Sequence, residues 1–198
     1  MPANSVTRPV PPALLAAATE TLRHLGPRRF SLTAVAEAAD VSRGTVHNVL
    51  GSRDDAIAIA FNHLTAGFVE TMASEIAKER GLAEQVAAAA VLVCAHRQQS
   101  ASTPRGANQS ILVLLLEHDG EVLMRRAIDI WKPLVKDAQA AGEIRADIDA
   151  ARASEWIVRV LFSFELLPPI GVNLENPRAV RRFVCDHIVT GLVGVVRD

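Results

Sequence analysis

The chain has 198 residues, 49% of them hydrophobic, and a formal net charge of −1 at pH 7. That is enough apolar material for one large or two small cored domains, and the near-neutral balance excludes a polybasic nucleic-acid coat. The most apolar stretches, 86–95 and 111–116, fall short of the about 18–20 residues of a membrane span.

No basic segment followed by an apolar run opens the chain, so no secretory signal is expected. Residues 1–12, with Pro2, Pro9, Pro11 and Pro12, read as a disordered or extended arm carrying Arg8. A first helix is predicted from Ala13 to Leu25, with Leu14, Leu15, Ala18 and Leu22 inward, and it stops at Gly26-Pro27. Phe30 then anchors a small three-helix core. Ser31 caps a second helix whose Leu32, Val35, Ala36 and Ala39 recur at helical spacing.

Asp40-Val41 breaks that pattern. Ser42 caps a third helix with Val46, Val49 and Leu50 on its inner face and Arg43, Thr45, His47 and Asn48 on its outer face. Gly44 allows close backbone approach. Two short helices around a tight turn, with short polar donors on the exposed face of the second, have the layout of a helix-turn-helix DNA reader. Charge agrees with this placement. Residues 1–53 hold six Arg against Glu20, Glu37 and Asp40, a net +3, leaving −4 for the remainder.

Ser52 and Asp55 have capping-box spacing at the start of a long helix predicted from 54 to 80. It carries Ile57, Ala60, Phe61, Leu64, Phe68, Met72 and Ile76 inward and belongs to both halves of the molecule. Further helices are expected over 82–99, 107–118, 120–141 (kinked at Pro133), from Asp149 to Pro168, and from Asn176-Pro177 to about Val196, with a turn at Ser100–Gly106. No alternating strand pattern or internal repeat is visible. The fold class is therefore all-α: arm 1–12, a helix-turn-helix domain over 13–53, and a helical-bundle domain over 54–198.

Residues Phe30-Ser31-Leu32, Val35-Ala36-x-Ala38-Ala39-x-Val41-Ser42-Arg43-Gly44-Thr45-Val46 and Ser52-Arg53-Asp54-Asp55 resemble the tetracycline-repressor (TetR) family of transcriptional regulators. The match joins a turn, two caps and a polar face at fixed spacing over about a quarter of the chain. The resemblance implies a two-fold dimer, a three-helix DNA-binding domain and a helical ligand-binding domain whose last two helices form the interface. By it, Ser42, Arg43, Gly44, Thr45, His47 and Asn48 lie at DNA, Thr33 faces a phosphate, and Arg53 replaces a common phosphate-binding lysine. The chain departs at Asp40, where the family usually has glycine, and at His47 and Leu50, where it usually has tyrosine and an aromatic. The operator sequence is thus not carried over.

Other chemistries find little support. There is no HExxH and no CxxC. Cys94-Ala-His96 and Cys185-Asp-His187 place their members two apart, on different helix faces. Glu117-His118-Asp119 falls at an expected helix end. No metal, cofactor or catalytic site is expected. The cysteines read as buried free thiols suited to a reducing cytosol, and the expected location is cytoplasmic.

For a small effector of unknown identity, the large C-terminal side chains Met124, Trp131, Trp156 and Phe164, with His96, Glu117 and Arg159 as polar partners, are the candidates for a mostly apolar pocket. For a homodimer, the last helix offers Val184, His187, Ile188, Gly191, Leu192 and Val195, with Gly194 allowing close approach, and the preceding helix offers Phe162. The reading is a ligand-responsive repressor on a palindromic double-stranded operator. The rivals are a helical-bundle carrier or enzyme using the C-terminal cavity, and a DNA-bound activator without effector.

Overall fold

The computed structural model describes residues 9–101, 110–188 and 192–193. Arg8, residues 102–106 of the turn expected at Ser100–Gly106, the start of the helix expected at 107, the side chain of Ile188, and Gly191, Gly194 and Val195 lie outside the described residues, while Ser100 and Ala101 continue the preceding helix instead of turning. Among those described, every regular element is helical: α1 (Pro12–Arg29), α2 (Leu32–Ala39), α3 (Arg43–Leu50), α4 (Arg53–Ile76), α5 (Leu82–Ala101), α6 (Ile111–Ala140), α7 (Ala150–Leu166) and α8 (Pro177–Phe183). A π-helical turn, Val184–Ile188, follows α8. The chain divides into two compact units, with the division falling between Ala66 and Gly67 inside α4.

The first unit is built by local chemistry. Gly26, at φ 67°, breaks α1, and Pro27 starts a final turn that ends at the buried Phe30. Ser31 Oγ accepts the Ala34 N–H at 3.1 Å and so caps α2. Asp40 takes the left-handed conformation (φ 52°, ψ 48°), and the Val41 N–H returns to the Ala36 carbonyl at 3.0 Å. That is a helix stop of the Schellman kind with aspartate in the glycine position. Ser42 Oγ accepts the Thr45 N–H at 3.0 Å and caps α3. Leu22, Val35, Val46 and Leu50 are buried, as are Ala56, Ile57, Ala60, Phe61 and Leu64 of α4 in the same unit. Their burial moves the domain boundary from the expected 53/54 into the middle of α4.

In the second unit α7 packs on α5 and α6, and α8 packs on α5. Its core holds Leu82, Val86, Val93, Leu112, Leu114, Trp131, Ile157 and Val180. Three elements differ from expectation. α4 leaves α-geometry after Ile76, where the Lys78 and Glu79 N–H groups bond carbonyls three residues back. α6 breaks at Asp119 (φ −153°, ψ 66°), between the two helices expected over 107–118 and 120–141, but its backbone stays helical through Pro133, where a kink was expected. Asp119 Oδ1 accepts the Val122 N–H at 3.3 Å, so this aspartate caps the second segment of α6. Finally, the predicted helix to Val196 does not run unbroken: α8 gives way to the π turn, and Leu192-Val193 are in turn and bend. Arg145 N–H donates to the Leu192 carbonyl at 3.0 Å.

Candidate functional site

The outer face of α3 is the best-defined polar surface of the first unit. Arg43, Gly44, His47 and Asn48 are exposed and line one shallow depression. Helical geometry explains the grouping, since Arg43 and His47, and Gly44 and Asn48, are each four apart and share a face. Val46 and Leu50, fully buried on the opposite side, fix the helix's rotation. The cap fixes its start, where Ser42 Oγ also bonds Thr45 Oγ1 at 2.9 Å. Among the described residues, no hydrogen bond occupies the side chains of Arg43, His47 or Asn48. Their donors and acceptors are available to an outside partner. Thr33, on α2, is exposed as well.

Gly44 supplies a second indication. A Cβ at this position would meet only Ser42 Oγ, at 3.6 Å, an ordinary contact. The fold itself therefore has no need of glycine here. Gly51 is the contrast: its φ is +79°, and a Cβ would lie 2.7 Å from Asp55 Oδ2. That position needs glycine to turn from α3 into α4. Asp55 Oδ2 there accepts from both the backbone N–H (2.9 Å) and hydroxyl (2.6 Å) of Ser52. Those bonds hold the Asp55 carboxyl below its ordinary range.

Arg53 has a different occupation from the one its place in the motif suggests. Its Nε donates to the Phe30 carbonyl at 3.0 Å, one terminal nitrogen donates to the Pro27 carbonyl, and the other pairs with Asp54 at 3.0 Å. The guanidinium ties the start of α4 to the α1–α2 connector. It is a brace within the reader, with three of its five N–H donors engaged within the chain. Only the geometry of two converging carbonyls reveals this, and no sequence pattern encodes it.

In the second unit an apolar cleft lies between side chains of α4, α5, α6 and α7. Phe68, Met72, Val93, Ile130, Trp131 and Leu161 are among its walls, with Phe162 beside them. It is nearly closed, holding about 20 Å³ of open space, on the order of one water molecule. Of the predicted pocket residues only Trp131 lines it. His96 lies against it at one remove, its ring 5.5 Å from that of Phe68. Phe164 is buried elsewhere, edge-on to Phe183 at 6.2 Å. Met124 is half-buried outside the lining, and Glu117 is exposed. Trp156 and Arg159 point outward because Ile157, Val158 and Leu161 claim the inner face of α7. Arg159 pairs there with Glu155 at 2.6 Å.

Three of the predicted interface residues are core instead. Val184 has no exposed surface, Leu192 is 6% exposed, and Phe162 belongs to the cleft wall. A side chain with no surface left in one chain has none to bury against another. His187 is exposed and stacks on Phe183 at 5.0 Å. Among the described residues the most exposed large apolar side chains lie on α7 and after it: Trp156, Leu166, Leu167 and Ile170 are 50–88% exposed.

Cys94 is buried, and burial pushes its thiol up to about 11. Cys185 is half-buried and also raised, first by burial and then by Glu84. Both are free and poorly ionised, which makes them weak nucleophiles. Among the described residues no group of three or more His, Cys, Asp or Glu is placed to hold a metal. None of the described helices is long and apolar enough to cross a membrane.

No known family's sequence model matches the chain, and no curated protein matches it. Solved structures do. A TetR-family transcriptional regulator from Cytophaga hutchinsonii aligns over 94% of this chain and 94% of its own, at 15% identity and a TM-score of 0.68. The TetR-family regulator CifR, bound to a 26-bp double-strand operator, aligns over 91% and 97% at 18% identity and a TM-score of 0.66. The transcriptional regulator FadR from Bacillus subtilis, in complex with stearoyl-CoA, aligns over 89% and 98% at 16% identity and a TM-score of 0.61. The chain has the all-α fold of these regulators along nearly its whole length.

Proposed function

We propose, from this fold and from the uncommitted polar face of α3, that the protein is a DNA-binding transcriptional regulator of the TetR type, a cytoplasmic repressor and not an enzyme. The observation that carries the reading is the set Arg43, Gly44, His47 and Asn48. They are exposed together on a helix whose start and rotation are fixed by its cap and core. Such a face suits a major groove, where Asn pairs with adenine and Arg with guanine. Thr33 and Thr45 take phosphates and set register. Two copies place two α3 helices in successive major grooves of a palindromic operator, about 34–36 Å apart.

The effector reading rests on the apolar cleft. A small apolar molecule that binds better when the cleft is open shifts the protein toward that state. Helix α4 contributes Phe68 and Met72 to the cleft and begins at the reader, so it is the element through which we expect release to act. The small open volume favours a second reading, a regulator that answers to no small molecule. A screen of apolar compounds for thermal stabilisation decides between them.

The DNA reading is tested by an anisotropy titration on duplexes from the flanking genome at several salt concentrations. We expect operator affinity to fall steeply with salt, and Arg43→Ala and Asn48→Ala each to cost about 1–3 kcal/mol on operator only. Absence of salt-sensitive, sequence-dependent binding overturns the reading. Equal losses on operator and random DNA remove Asn48 from the readout.

A further inference from the structure

Near the C-terminal ends of α5 and α7 and the N-terminus of α6, polar side chains gather in a largely buried place. Ser110, the residue before α6, is 8% exposed, and its hydroxyl makes no cap to the helix behind it. Glu165 lies half-buried near the end of α7. Burial raises its carboxyl, while the nearby Ser110 hydroxyl and the Arg97 guanidinium draw it back. Arg97 is turned away to close the end of α7, donating to the Phe164 carbonyl at 2.8 Å and to that of Leu167. Ser110 Oγ and Glu165 Oε2 are both shielded from solvent, and neither has a hydrogen bond of good geometry. Buried polar atoms are nearly always satisfied. Among the described residues neither atom finds such a partner, so the two together can take a polar group from outside.

Glu165 and Arg97 each lie one helical turn from the apolar cleft. Glu165 follows the cleft residue Leu161 by four along α7, and Arg97 follows Val93 by four along α5. We propose that Ser110 and Glu165 bind the polar head of an effector whose apolar body occupies the Phe68–Trp131 cleft, and that this head is a neutral hydroxyl. The assignment rests on the effector reading above. A carboxylate head would face Glu165, and an ammonium head would face the Arg97 cation. A hydroxyl donates to Glu165 Oε2 and accepts from Ser110 Oγ, meeting both with one group. The chain enters by parting the cleft's adaptable wall, Met72 foremost.

The test uses Trp156→Phe protein, in which Trp131 is the sole tryptophan reporter. Four probes share one alkyl chain: n-octanol, its methyl ether, octanoate and octylamine. The ether accepts a hydrogen bond but donates none. We expect n-octanol to change Trp131 emission with an affinity at least about tenfold tighter than the other three. Ser110→Ala and Glu165→Met should each erase that preference while leaving the unliganded melting temperature unchanged or higher, since each removes an unmet polar atom. Equal binding of all four probes, no binding of n-octanol, or an unchanged preference in both variants overturns the assignment. Operator binding is measured in parallel without any probe. Specific DNA binding by a protein with no octanol preference sinks the head site alone, whereas absent DNA binding sinks the regulator reading.

Discussion

Gly44 costs the fold something and gives it nothing in return. A glycine inside a helix is about 1 kcal/mol less favourable than alanine. Yet Gly44 has room for a Cβ, with only Ser42 Oγ at 3.6 Å, and it is exposed beside Arg43 and Asn48. An external backbone that must approach α3 closely explains the choice. Gly44→Ala should therefore raise the stability of the first unit by up to about 1 kcal/mol and weaken operator binding by about tenfold. Paired thermal melts and anisotropy titrations check both halves. A variant that binds operator as tightly as the unmodified chain would show that the close approach does not occur. Asp40 makes the complementary case: the turn needs φ 52°, and aspartate holds that left-handed conformation at a smaller cost than most side chains.

At the scale of the element, Arg53 shows what sequence can and cannot disclose. Its place at the head of α4, after a serine cap, implies a phosphate contact by resemblance. Its actual bonds go to the carbonyls of Pro27 and Phe30, which no local pattern announces. Arg53→Ala should lower the stability of the first unit by about 1 kcal/mol, discounted for its partial exposure, with the salt slope of DNA binding unchanged. Arg53→Lys should not restore stability, because one ammonium cannot reproduce the planar fork. A reduced salt slope in Arg53→Ala would return this side chain to the phosphate contacts. The caps at Ser31, Ser42 and Asp149, the turn at Asp40 and the inner face of α3 were legible because each depends on residues within four positions. The Asp119 break was legible as well, as a polar run between two helices. The cleft was not: Val93, Ile130 and Leu161 carry the same apolar signature as any core residue. Only tertiary packing separates a wall from a filling. The same limit put Trp156 and Arg159 in a pocket, when the inner stripe of α7 runs through Ile157, Val158 and Leu161.

For the whole molecule, what α7 leaves uncovered bears on assembly. The side chains first expected to meet a partner, Val184, Leu192 and Phe162, are consumed by the chain's own core. Trp156 remains half-exposed on the outer face of α7, with Val160 and Ser163 following at helical spacing, and Leu166 and Leu167 are more than half exposed at its end. One copy presents one α3 and reaches one half-site, so operator affinity depends on how many copies act together. Linked half-sites commonly gain about 10²–10⁴ in affinity over one. Trp156→Glu puts a charge into that face without touching the core. We expect it to shift the protein from dimer to monomer in sedimentation velocity, to leave the melt of the isolated chain nearly unchanged, and to weaken binding to a palindromic duplex at least about a hundredfold. Binding to a duplex with a single half-site should hardly change, because α3 is intact. A dimer that survives Trp156→Glu places the interface elsewhere, and an unmodified chain that sediments as a monomer at micromolar concentration removes the two-fold reader altogether.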